Sequence, residues 1–339
     1  MSTVEARKRG DAQSRRAFDY FEGFAVTSVF ASLETAGLLD TLADDGLGPD
    51  ALSSEGAERA ALRRAALVYL GQRGIVALEG GRFRLTETGR ALYRDKGYLV
   101  WIAGGYGEPL YHLGRFLEGD ERYGIDATRN GRWVATGAAQ LGAQDVVPEA
   151  MRLLETIVFD RVVDFGCGNA RFLVRVCEAF GSSGVGIDIS AAACAEAEKQ
   201  VEAAGLTDRI EIVQGDAVDL ARVPHLGETA LVVTFFLLHE ISSQSHAALI
   251  RFLSQLSAPL PDGAHLLVAE VIPAVGEQPT TARFTPEFTF VHAMMRQSLL
   301  DERSWQKAFA ESGFFVQEAI PLEMPGGILF LAQKTNSWC

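Results

Sequence analysis

The stretch RVVDFGCGNARFLVRVCEAFGSSGVGIDIS, from Arg161 to Ser190, decides the fold that this sequence predicts. Two valines lead into Gly166 and Gly168, which indicates a buried strand that stops at a turn able to approach a ligand closely. Apolar residues at helical spacing follow, with Asn169 as the predicted N-cap and Gly181 as the predicted end. A second apolar strand then ends in an acid, so the stretch predicts part of a parallel α/β sheet.

The glycine-rich turn and the acid Asp188 limit the kind of ligand. A dinucleotide diphosphate is usually bound by G-x-G-x-x-G at a helix N-terminus, whereas this turn reads G-C-G-N-A-R and follows Asp164. An acid at that point repels a diphosphate but suits the ammonium group of S-adenosylmethionine (SAM), and Asp188 lies where a ribose diol is held. We therefore predict a SAM site, with a dinucleotide site and a ligand-free structural turn as the alternatives.

The D-F-G-C-G-N turn resembles motif I of the class I SAM-dependent methyltransferases. That resemblance implies an α/β domain with a Rossmann-like, doubly wound sheet, SAM as the cofactor, and adenine binding by Asp216 after the next strand. Without the resemblance, Asp216 is also explained as a turn residue. The resemblance implies cofactor contacts at the following residues: Asp164, Gly166, Cys167, Gly168, Asp188, Ile189, Asp216, Ala217 and Phe235.

The composition is that of a globular protein of 339 residues, with 48% hydrophobic residues for a core and a formal net charge of −13. The negative charge opposes binding to nucleic-acid phosphates, and the sequence has no run of 18 apolar residues that would span a membrane. The N-terminus lacks the apolar segment of a secretory signal, and the cysteines at positions 167, 177, 194 and 339 have no zinc-binding spacing. We expect a cytoplasmic protein without a nucleic-acid or membrane partner.

The N-terminal part of the sequence predicts helices followed by a hairpin. Residues 17–42 are too rich in apolar and aromatic side chains for the surface helix of a monomer, and Gly37 is the predicted helix end. Residues 50–94 predict two helices and a hairpin around Gly80 and Gly81, which is a winged-helix pattern. The arginines of this module raise a DNA-binding hypothesis, but its second helix is mostly Ala and Leu and the chain is acidic. A dimerisation module is therefore the preferred interpretation.

The layout resembles the N-terminal domain of the dimeric small-molecule O-methyltransferases, which implies a homodimer that acts on a small molecule. We accordingly expect three parts: a helical winged-helix dimerisation domain over 1–97, a helical connector that lines the pocket over 98–150, and a SAM-binding methyltransferase domain over 151–339. The alternative is a regulator that binds duplex DNA in a salt-dependent manner and whose SAM domain senses rather than catalyses.

Glycines and aromatic residues cluster in the connector, notably in W-I-A-G-G-Y-G-E-P from Trp101 to Pro109. The stretch resembles the corresponding part of the 2-ketoarginine methyltransferases, which raises the expectation that Tyr106 and Trp133 face substrate or cofactor. Turns, helix caps and core aromatics explain the same cluster without a ligand. The expected substrate contacts are Tyr106, Arg132, Trp133, Met295 and Arg296, and Arg129 is a further candidate for binding a substrate carboxylate.

Two histidines are the candidates for the chemistry. His239 follows the fourth strand of the SAM domain, at the sheet edge where the methyl group would be presented, and His292 lies in an apolar segment after the fifth strand. A neutral imidazole suits removal of a hydroxyl proton, whereas two converging imidazoles can hold a divalent metal with open positions for substrate. Each histidine is also explained as a buried structural side chain.

The segments F-x-L-H-E at 236–240 and F-x-F-V-H-A-M-M at 288–295 resemble paired segments of the α-keto acid C-methyltransferases that act on phenylpyruvate or 2-ketoarginine. That resemblance implies specialised metabolism such as antibiotic biosynthesis, a divalent or ferric ion held by His239 and His292, and Glu240 in the catalytic set. The ion would acidify the β-carbon of a chelated keto acid, and the enolate would attack the methyl group of SAM. The alternative is O-methylation of a hydroxyl or carboxylate on a small molecule or short peptide, with His292 as the general base.

Overall fold

The structure is a computed structural model that describes residues 16–53, 56–274, 276 and 278–335 of the chain. The chain divides into two compact units, one that extends to Leu141 and one that starts at Gly142. Cys339 lies outside the described residues, and the other three cysteines are buried free thiols. No helix in the described part of the chain is long and apolar enough to cross a membrane.

The N-terminal unit is mostly helical and contains one hairpin. Gly37 has a φ of +68° and ends the first helix, as the sequence predicts, before a short second helix begins. The hairpin turns at Gly80 and Gly81, which both have positive φ, the conformation of a type I′ connection. The elements are α1 (Arg16–Thr35), α2 (Leu39–Asp44), α3 (Pro49–Ser53), α4 (Ala57–Gln72), β1 (Val76–Glu79), β2 (Arg82–Leu85), α5 (Glu87–Arg94), α6 (Lys96–Leu99), a π-helical segment (Val100–Gly105), α7 (Tyr106–Glu118) and the start of α8 (Gly131–Asp145).

Apolar side chains from α1, α2, α4 and the hairpin form one core in this unit, with Phe30, Leu42 and Leu67 buried in it. Leu47 pairs with Phe83, which adds a bridge at the edge of the hairpin. The predicted order of two helices and a hairpin is therefore confirmed, and the helices and the hairpin pack together as a single module.

Arginines that could contact phosphates in a DNA-binding module make contacts inside this unit instead. Arg82 donates to the carbonyl oxygens of Asp45 and Gly46, at 3.1 and 2.7 Å. Arg73 forms an ion pair with Glu22 at 2.8 Å. These two arginines therefore have structural roles that need no nucleic acid.

The C-terminal unit alternates strands and helices around one sheet. The first two predicted strands are confirmed, because one carries Asp164 and the next ends at Asp188. The elements are α9 (Val147–Leu154), β3 (Arg161–Phe165), α10 (Arg171–Phe180), β4 (Ser183–Asp188), α11 (Ala191–Ala203), β5 (Ile210–Gln214), β6 (Leu231–Phe235), α12 (Leu238–Ser242), α13 (His246–Ser257), β7 (His265–Val271), α14 (Thr285–Met294), α15 (Glu302–Glu311), β8 (Phe314–Pro321) and β9 (Gly327–Lys334), with short 3₁₀ turns at Leu220–Arg222 and Leu226–Glu228.

The strands of this sheet run in the order β5-β4-β3-β6-β7-β9-β8. The neighbouring pairs from β5 to β7 are parallel, and β9 is antiparallel to both β7 and β8. The chain builds the sheet outward from β3 to one edge and then from β6 toward the other, so the strand order reverses between β3 and β6. The predicted doubly wound sheet is confirmed, and such sheets bind ligands beyond the carboxyl ends of the strands at this reversal.

The start of α10 differs from the prediction. The helix begins at Arg171, and the residue before it is Ala170 in the left-handed region with a φ of +57°, rather than Asn169 as the N-cap. The Asn169 side chain accepts a long hydrogen bond of 3.4 Å from Arg171 N. Gly166, Gly168 and Ala170 all have positive φ, and Ala170 is fully buried, so the packing of the turn overrides the capping preference of Asn169.

Candidate functional site

The backbone of the glycine-rich turn after β3 is fixed to the neighbouring strand. The N–H groups of Gly166 and Cys167 both donate to the carbonyl oxygen of Ile187, at 2.8 and 3.1 Å. Gly166 and Gly168 have φ values of +75° and +55°, a conformation that costs energy for residues with a Cβ. The turn is therefore held in one shape at the point where the strand order reverses.

Asp188, the acid at the end of β4, is oriented by two backbone donors. One carboxylate oxygen accepts from Gly168 N at 3.0 Å and the other accepts from Ser190 N at 2.8 Å. Ser190 in turn caps α11, because its hydroxyl accepts from Ala193 N at 3.3 Å. Each carboxylate oxygen has a second lone pair, so the oriented acid can accept two hydrogen bonds from a ribose diol.

Asp164 lies inside the sheet with 5% of its surface exposed. Burial, together with the nearby carboxylate of Asp188, raises the pKa of its carboxyl group from 3.8 to about 8. The carboxyl group is therefore mostly protonated at neutral pH, and a cation placed beside it would favour the ionised form. This environment suits an ammonium group better than a phosphate.

Other predicted cofactor residues lie at the carboxyl ends of the neighbouring parallel strands. Asp216 follows β5, is exposed, and accepts a backbone N–H two residues later at 3.1 Å. Ala217 beside it is half-buried, and Ile189, which follows β4, is 70% exposed. The ring of Phe235, at the end of β6, packs 4.8 Å from that of Phe172. Polar and apolar side chains therefore share one edge of the sheet.

Two glycines of β4 set the distance between this strand and α10, and no sequence motif singles them out. A Cβ on Gly186 would lie 2.8 Å from Cys167 Sγ, and a Cβ on Gly184 would lie 2.8 Å from Cys177 Sγ. The close approach buries the Cys167 thiol, and burial raises the pKa of that thiol. Cys167 is therefore a protonated thiol that packs against Gly186 of β4.

His239 lies on α12, directly after β6, and is 5% exposed. Its Nδ1 donates to Glu270 Oε2 at 2.8 Å, and its backbone N–H donates to Glu270 Oε1 at 3.1 Å. Because a carboxylate only accepts, Nδ1 carries the proton and the lone pair of the neutral ring is on Nε2. Glu270, 1% exposed near the end of β7, therefore fixes the position and the tautomer of His239.

His292 lies on α14 and is 2% exposed. Its Nδ1 donates to the carbonyl oxygen of Phe288, one turn earlier, at 2.7 Å, so its lone pair is also on Nε2. The Phe288 ring packs against both imidazoles, with its centroid 4.0 Å from that of His292 and 6.0 Å from that of His239. The two imidazole centroids are 5.1 Å apart and their planes meet at 81°. The structure therefore brings together the two histidines that the sequence analysis pairs.

Glu240 and Gln297 form the rest of the polar cluster. Glu240 Oε1 lies 3.8 Å from His239 Nε2, the nitrogen that carries the lone pair. The other carboxylate oxygen of Glu240 accepts from Gln297 Nε2 at 2.6 Å. Gln297 is also joined to the second histidine, because its backbone N–H donates to His292 O at 2.8 Å.

The two imidazoles have the surroundings of metal ligands. Metal-binding histidines usually donate their other ring N–H to a carboxylate or a carbonyl oxygen, and both His239 and His292 do so. Among the described residues, no group of three or more His, Cys, Asp or Glu side chains is placed to hold a metal ion. The donor set fits an ion that takes two protein nitrogens and leaves its other positions to substrate or water.

Strained backbone surrounds this cluster. Phe236 before α12, Phe284 before α14 and Arg296 after α14 have φ values of +55°, +68° and +61°. Bulky residues rarely adopt positive φ, which costs roughly 1–3 kcal/mol each and persists only where the surrounding structure imposes it. Strain of this kind tends to cluster at functional sites, and local sequence preference would not predict it.

The expected substrate residues fall in both units. In the C-terminal unit, Met295 is half-buried at the end of α14 and Arg296 beside it is exposed. In the N-terminal unit, Tyr106 is 1% exposed, with its ring 4.6 Å from that of Trp101. The Tyr106 hydroxyl accepts from Arg129 Nη1 at 3.5 Å. Tyr106 is therefore a core side chain of its own unit.

Arg132 and Trp133 lie near the start of α8. The Arg132 guanidinium stands 4.9 Å from the Trp133 ring centroid, in a cation–π contact. Trp133 also lines a cleft of about 310 Å³ within the N-terminal unit. The other lining residues are Ser28, Ala31, Ser32, Thr35, Ala103, Gly104 and Asn130.

Comparison with known proteins identifies the chemistry that this fold carries out. Residues 162–259 match the family described as Methyltransferase domain. The chain is 28% identical over 304 residues to 2-ketoarginine methyltransferase of Streptomyces arginensis, with 86% of each chain covered. It is 26% identical over 334 residues to indolepyruvate C-methyltransferase of Streptomyces griseus, with 97% of this chain and 98% of the relative covered. The chain is a SAM-dependent methyltransferase.

Solved structures agree with this identification at the level of the fold. N,N-8-amino-8-demethyl-D-riboflavin dimethyltransferase of Streptomyces davawensis aligns with a TM-score of 0.65 at 20% identity, covering 94% of this chain and 98% of that chain. A similarity at this level of identity shows the fold alone, and it confirms the predicted class I methyltransferase fold with a helical N-terminal region. SAM is accordingly the cofactor of the methyltransferase.

Proposed function

We propose that the methyltransferase transfers the methyl group of SAM to the β-carbon of a 2-keto acid in specialised metabolism such as antibiotic biosynthesis, using a divalent or ferric ion held by His239 and His292. The observation that carries this proposal is the pair of imidazoles 5.1 Å apart, each donating its Nδ1 proton to an oxygen acceptor. Two relatives are named for methylation of 2-ketoarginine and of indolepyruvate, and both of these compounds are 2-keto acids.

The protein groups have separate tasks in this proposal. His239 and His292 would bind the ion through Nε2, because Glu270 and the Phe288 carbonyl engage the other nitrogen of each ring. When bound, the ion would supply Lewis acidity that makes the β C–H of the keto acid easier to deprotonate. Glu240 would accept that proton on its carboxylate, which lies 3.8 Å from His239 Nε2, the atom that would bind the ion.

We place SAM at the carboxyl ends of β3, β4 and β5. Asp164 would bind the ammonium group, Asp188 the ribose diol and Asp216 the adenine amine, with the backbone from Gly166 to Gly168 beside the methionine moiety. Ile189, Ala217 and Phe235 would supply apolar contacts to the bound cofactor. Methyl transfer is then an in-line displacement at the sulfonium, in which orientation and exclusion of water supply much of the rate because the donor is already activated.

The methyl acceptor is proposed to be a small molecule whose carboxylate is bound by an arginine, either Arg129, Arg132 or Arg296. Trp133 and Met295 are the other proposed substrate contacts, whereas the buried Tyr106 would act through Arg129, whose Nη1 donates to its hydroxyl at 3.5 Å. The exposed guanidinium of Arg296, four residues after His292, supports its candidacy because it belongs to the same segment as the histidine.

We also propose that the methyltransferase is a homodimer. The support is a set of large aromatic side chains on the first turns of α1 that stand in solvent. Their exposed fractions are 49% for Phe18, 79% for Tyr20, 71% for Phe21 and 76% for Phe24. Contiguous apolar surface of this kind usually marks an interaction site.

O-methylation of a hydroxyl or carboxylate on a small molecule or short peptide is the second candidate function. It is favoured by the tautomer of His292, because donation from Nδ1 to the Phe288 carbonyl leaves the lone pair on Nε2 to accept a proton. In this reaction His292 would act as the general base, and no ion is required.

Replacing each histidine by alanine separates the two functions. If the pair holds a metal ion, H239A and H292A should each lose both the bound ion and turnover of 2-keto acids, and a chelator should inactivate the wild-type enzyme until a divalent cation is added. If His292 is a general base, H292A should lower turnover roughly a hundredfold while a chelator has no effect. Elemental analysis of protein purified without an affinity tag, with assays before and after chelation, is the measurement.

His246→Ala is the matched control for these variants. His246 is an exposed histidine whose Nε2 lies 3.3 Å from Glu311, so it shares the histidine–carboxylate contact of His239 without its burial. We expect this variant to keep the wild-type ion content and activity. An enzyme that is fully active without metal would eliminate the keto acid mechanism and leave O-methylation.

A further inference from the structure

Gln297 is placed in the site by the way α14 ends. The backbone N–H of Gln297 donates to His292 O at 2.8 Å, and that of Arg296 donates to Ala293 O at 2.9 Å. With Arg296 at a φ of +61°, these bonds form the Schellman arrangement in which glycine usually occupies the left-handed position. The arrangement puts Gln297 directly after the strained residue and brings its side chain to the polar cluster.

The two ends of the Gln297 amide have different environments. Nε2 donates to Glu240 Oε2 at 2.6 Å, which fixes the orientation of the amide, because the opposite orientation would set two oxygens against each other. Oε1 is buried and has no hydrogen-bond partner among the described residues. The side chain therefore presents a fixed, unused acceptor within the cluster that holds His239 and Glu240.

The buried Oε1 of Gln297 lowers the stability of the folded protein unless a hydrogen-bond donor reaches it. A buried polar atom without a partner destabilises a protein, and such atoms in native structures usually indicate a missing water, ion or ligand. The neighbouring Glu240 carboxylate favours a donor without lone pairs of its own, because a group that gives its single proton to Oε1 would have to keep its lone pairs away from that carboxylate. A hydroxyl carries such lone pairs, whereas a guanidinium or an indole N–H only donates.

We propose, on the basis of the keto acid function, that Gln297 Oε1 receives an N–H donor from the side chain of the methyl acceptor. The substrate class is then a 2-keto acid whose side chain ends in a donor-only nitrogen group such as an indole or a guanidinium. Gln297 selects for this class, because an apolar side chain of the same shape would leave its buried oxygen without a partner.

Two keto acids that differ only at the N–H test the proposal. Indole-3-pyruvate carries the donor, and its benzothiophene analogue has a sulfur in place of the N–H at nearly the same shape. For the wild-type enzyme we expect kcat/KM to favour the indole compound by roughly tenfold or more. In Q297M the ratio should fall toward one, mainly through loss of activity on the indole compound. If Q297M folds poorly, Q297N replaces it in the test. Q297N keeps the amide but withdraws it by one methylene, so we expect the same fall in the ratio.

The control variant is Gln306→Met. Gln306 also donates its Nε2 to a glutamate, Glu302, at 3.0 Å, but on the exposed surface of α15. This variant should keep the wild-type ratio. A wild-type ratio in folded Q297M or Q297N would overturn the proposal, because it would mean that water satisfies Oε1.

Binding measurements keep this proposal distinct from the keto acid function. Calorimetry with S-adenosylhomocysteine and each keto acid reports the N–H preference whether or not turnover occurs. A preference in binding that depends on Gln297, without any methylation, would support the role of Gln297 and end the keto acid function. Turnover of both compounds without a preference would support the keto acid function and overturn the role of Gln297. Absence of both binding and turnover would overturn the keto acid function and the role of Gln297 together.

Discussion

If Asp164 binds the ammonium group of SAM as proposed, its carboxyl group makes the affinity for SAM depend on pH. Burial and the neighbouring Asp188 carboxylate raise its pKa from 3.8 to about 8, so the ligand-free protein holds a proton there at neutral pH. The ammonium group of SAM would favour the ionised form, and binding below about pH 8 would therefore release that proton. We predict that the affinity rises by up to roughly tenfold per pH unit toward this value and falls again above it, where the amino group of SAM loses its own proton.

The stability of the ligand-free protein should change in the opposite direction. The folded-state pKa of Asp164 lies above its ordinary value of 3.8. The stability that this group contributes is therefore fully present below pH 3.8 and is lost as the pH rises to about 8. Calorimetric titration with SAM in buffers of different ionisation enthalpy should detect the released proton in the wild type and not in D164N. D160N, which changes an exposed aspartate just before β3, should release as much as the wild type. Equal release from D164N would refute the assignment.

Part of the residue-level site can be predicted from the sequence, and part of it depends on the fold. Their places after predicted strands, and the resemblance of both segments to those of the keto acid C-methyltransferases, point to His239 and His292, and the structure places their rings 5.1 Å apart. The contact between His239 and Glu270 joins residues 31 positions apart through the pairing of β6 with β7, which no local pattern specifies. An acid within the fully buried β7 is the signal that would have found Glu270.

At the scale of elements, the packing of α10 on β4 depends on glycine. A Cβ on Gly186 would lie 2.8 Å from Cys167 Sγ in the turn and 3.1 Å from Leu173 Cδ2 on α10, which is too close without movement of both. We predict that Gly186→Ala destabilises the protein by about 1–3 kcal/mol through overpacking. The same shift of Cys167 would disturb the glycine-rich turn, so SAM affinity should fall as well. Urea unfolding and SAM titration measure the two effects.

Gly114→Ala is the control for that substitution. Gly114 lies inside α7, and a Cβ there meets no atom within 4 Å. Because alanine favours the helix over glycine, this variant should be stabilised by up to about 1 kcal/mol and should bind SAM normally. A Gly186→Ala protein as stable as the wild type would show that α10 can move away from β4 at little cost.

The sequence predicts the elements better than it predicts their boundaries. The strand, turn, helix and strand from Arg161 to Asp188 are found as predicted, because hydrophobic periodicity and the two glycines agree. The prediction of Asn169 as the N-cap of α10 is wrong. The residue before the helix is Ala170 in the left-handed conformation, which its buried packing stabilises. The π-helical segment Val100–Gly105 has no sequence signal, and a Cβ on Gly105 would lie 2.7 Å from Val134 Cγ2. That close contact with a distant part of the chain is information that local preference does not contain.

At the scale of the whole molecule, the acidic charge and the doubly wound sheet fit the small-molecule acceptor proposed for the methyltransferase. The net charge of −13 opposes phosphate-rich partners, and Arg82 and Arg73 of the N-terminal unit are engaged by Asp45, Gly46 and Glu22 within that unit. The doubly wound order of the strands follows from alternating strands and helices, and was predictable as a class. The antiparallel pairing of β9 with β7 and β8 joins residues far apart in sequence and was not.

The aromatic residues of α1 carry the prediction on assembly. Phe21 and Phe24 are 71% and 76% exposed, and exposed aromatic side chains favour association because binding removes their apolar surface from water. We predict that the wild-type methyltransferase is a dimer by light scattering at micromolar concentration and that Phe21→Ser with Phe24→Ser shifts it to a monomer. Leu62→Ser is the control, because Leu62 is 73% exposed on α4 of the same unit but is a single apolar side chain. A wild-type monomer, or a dimer that the double substitution leaves intact, would remove α1 as the interface.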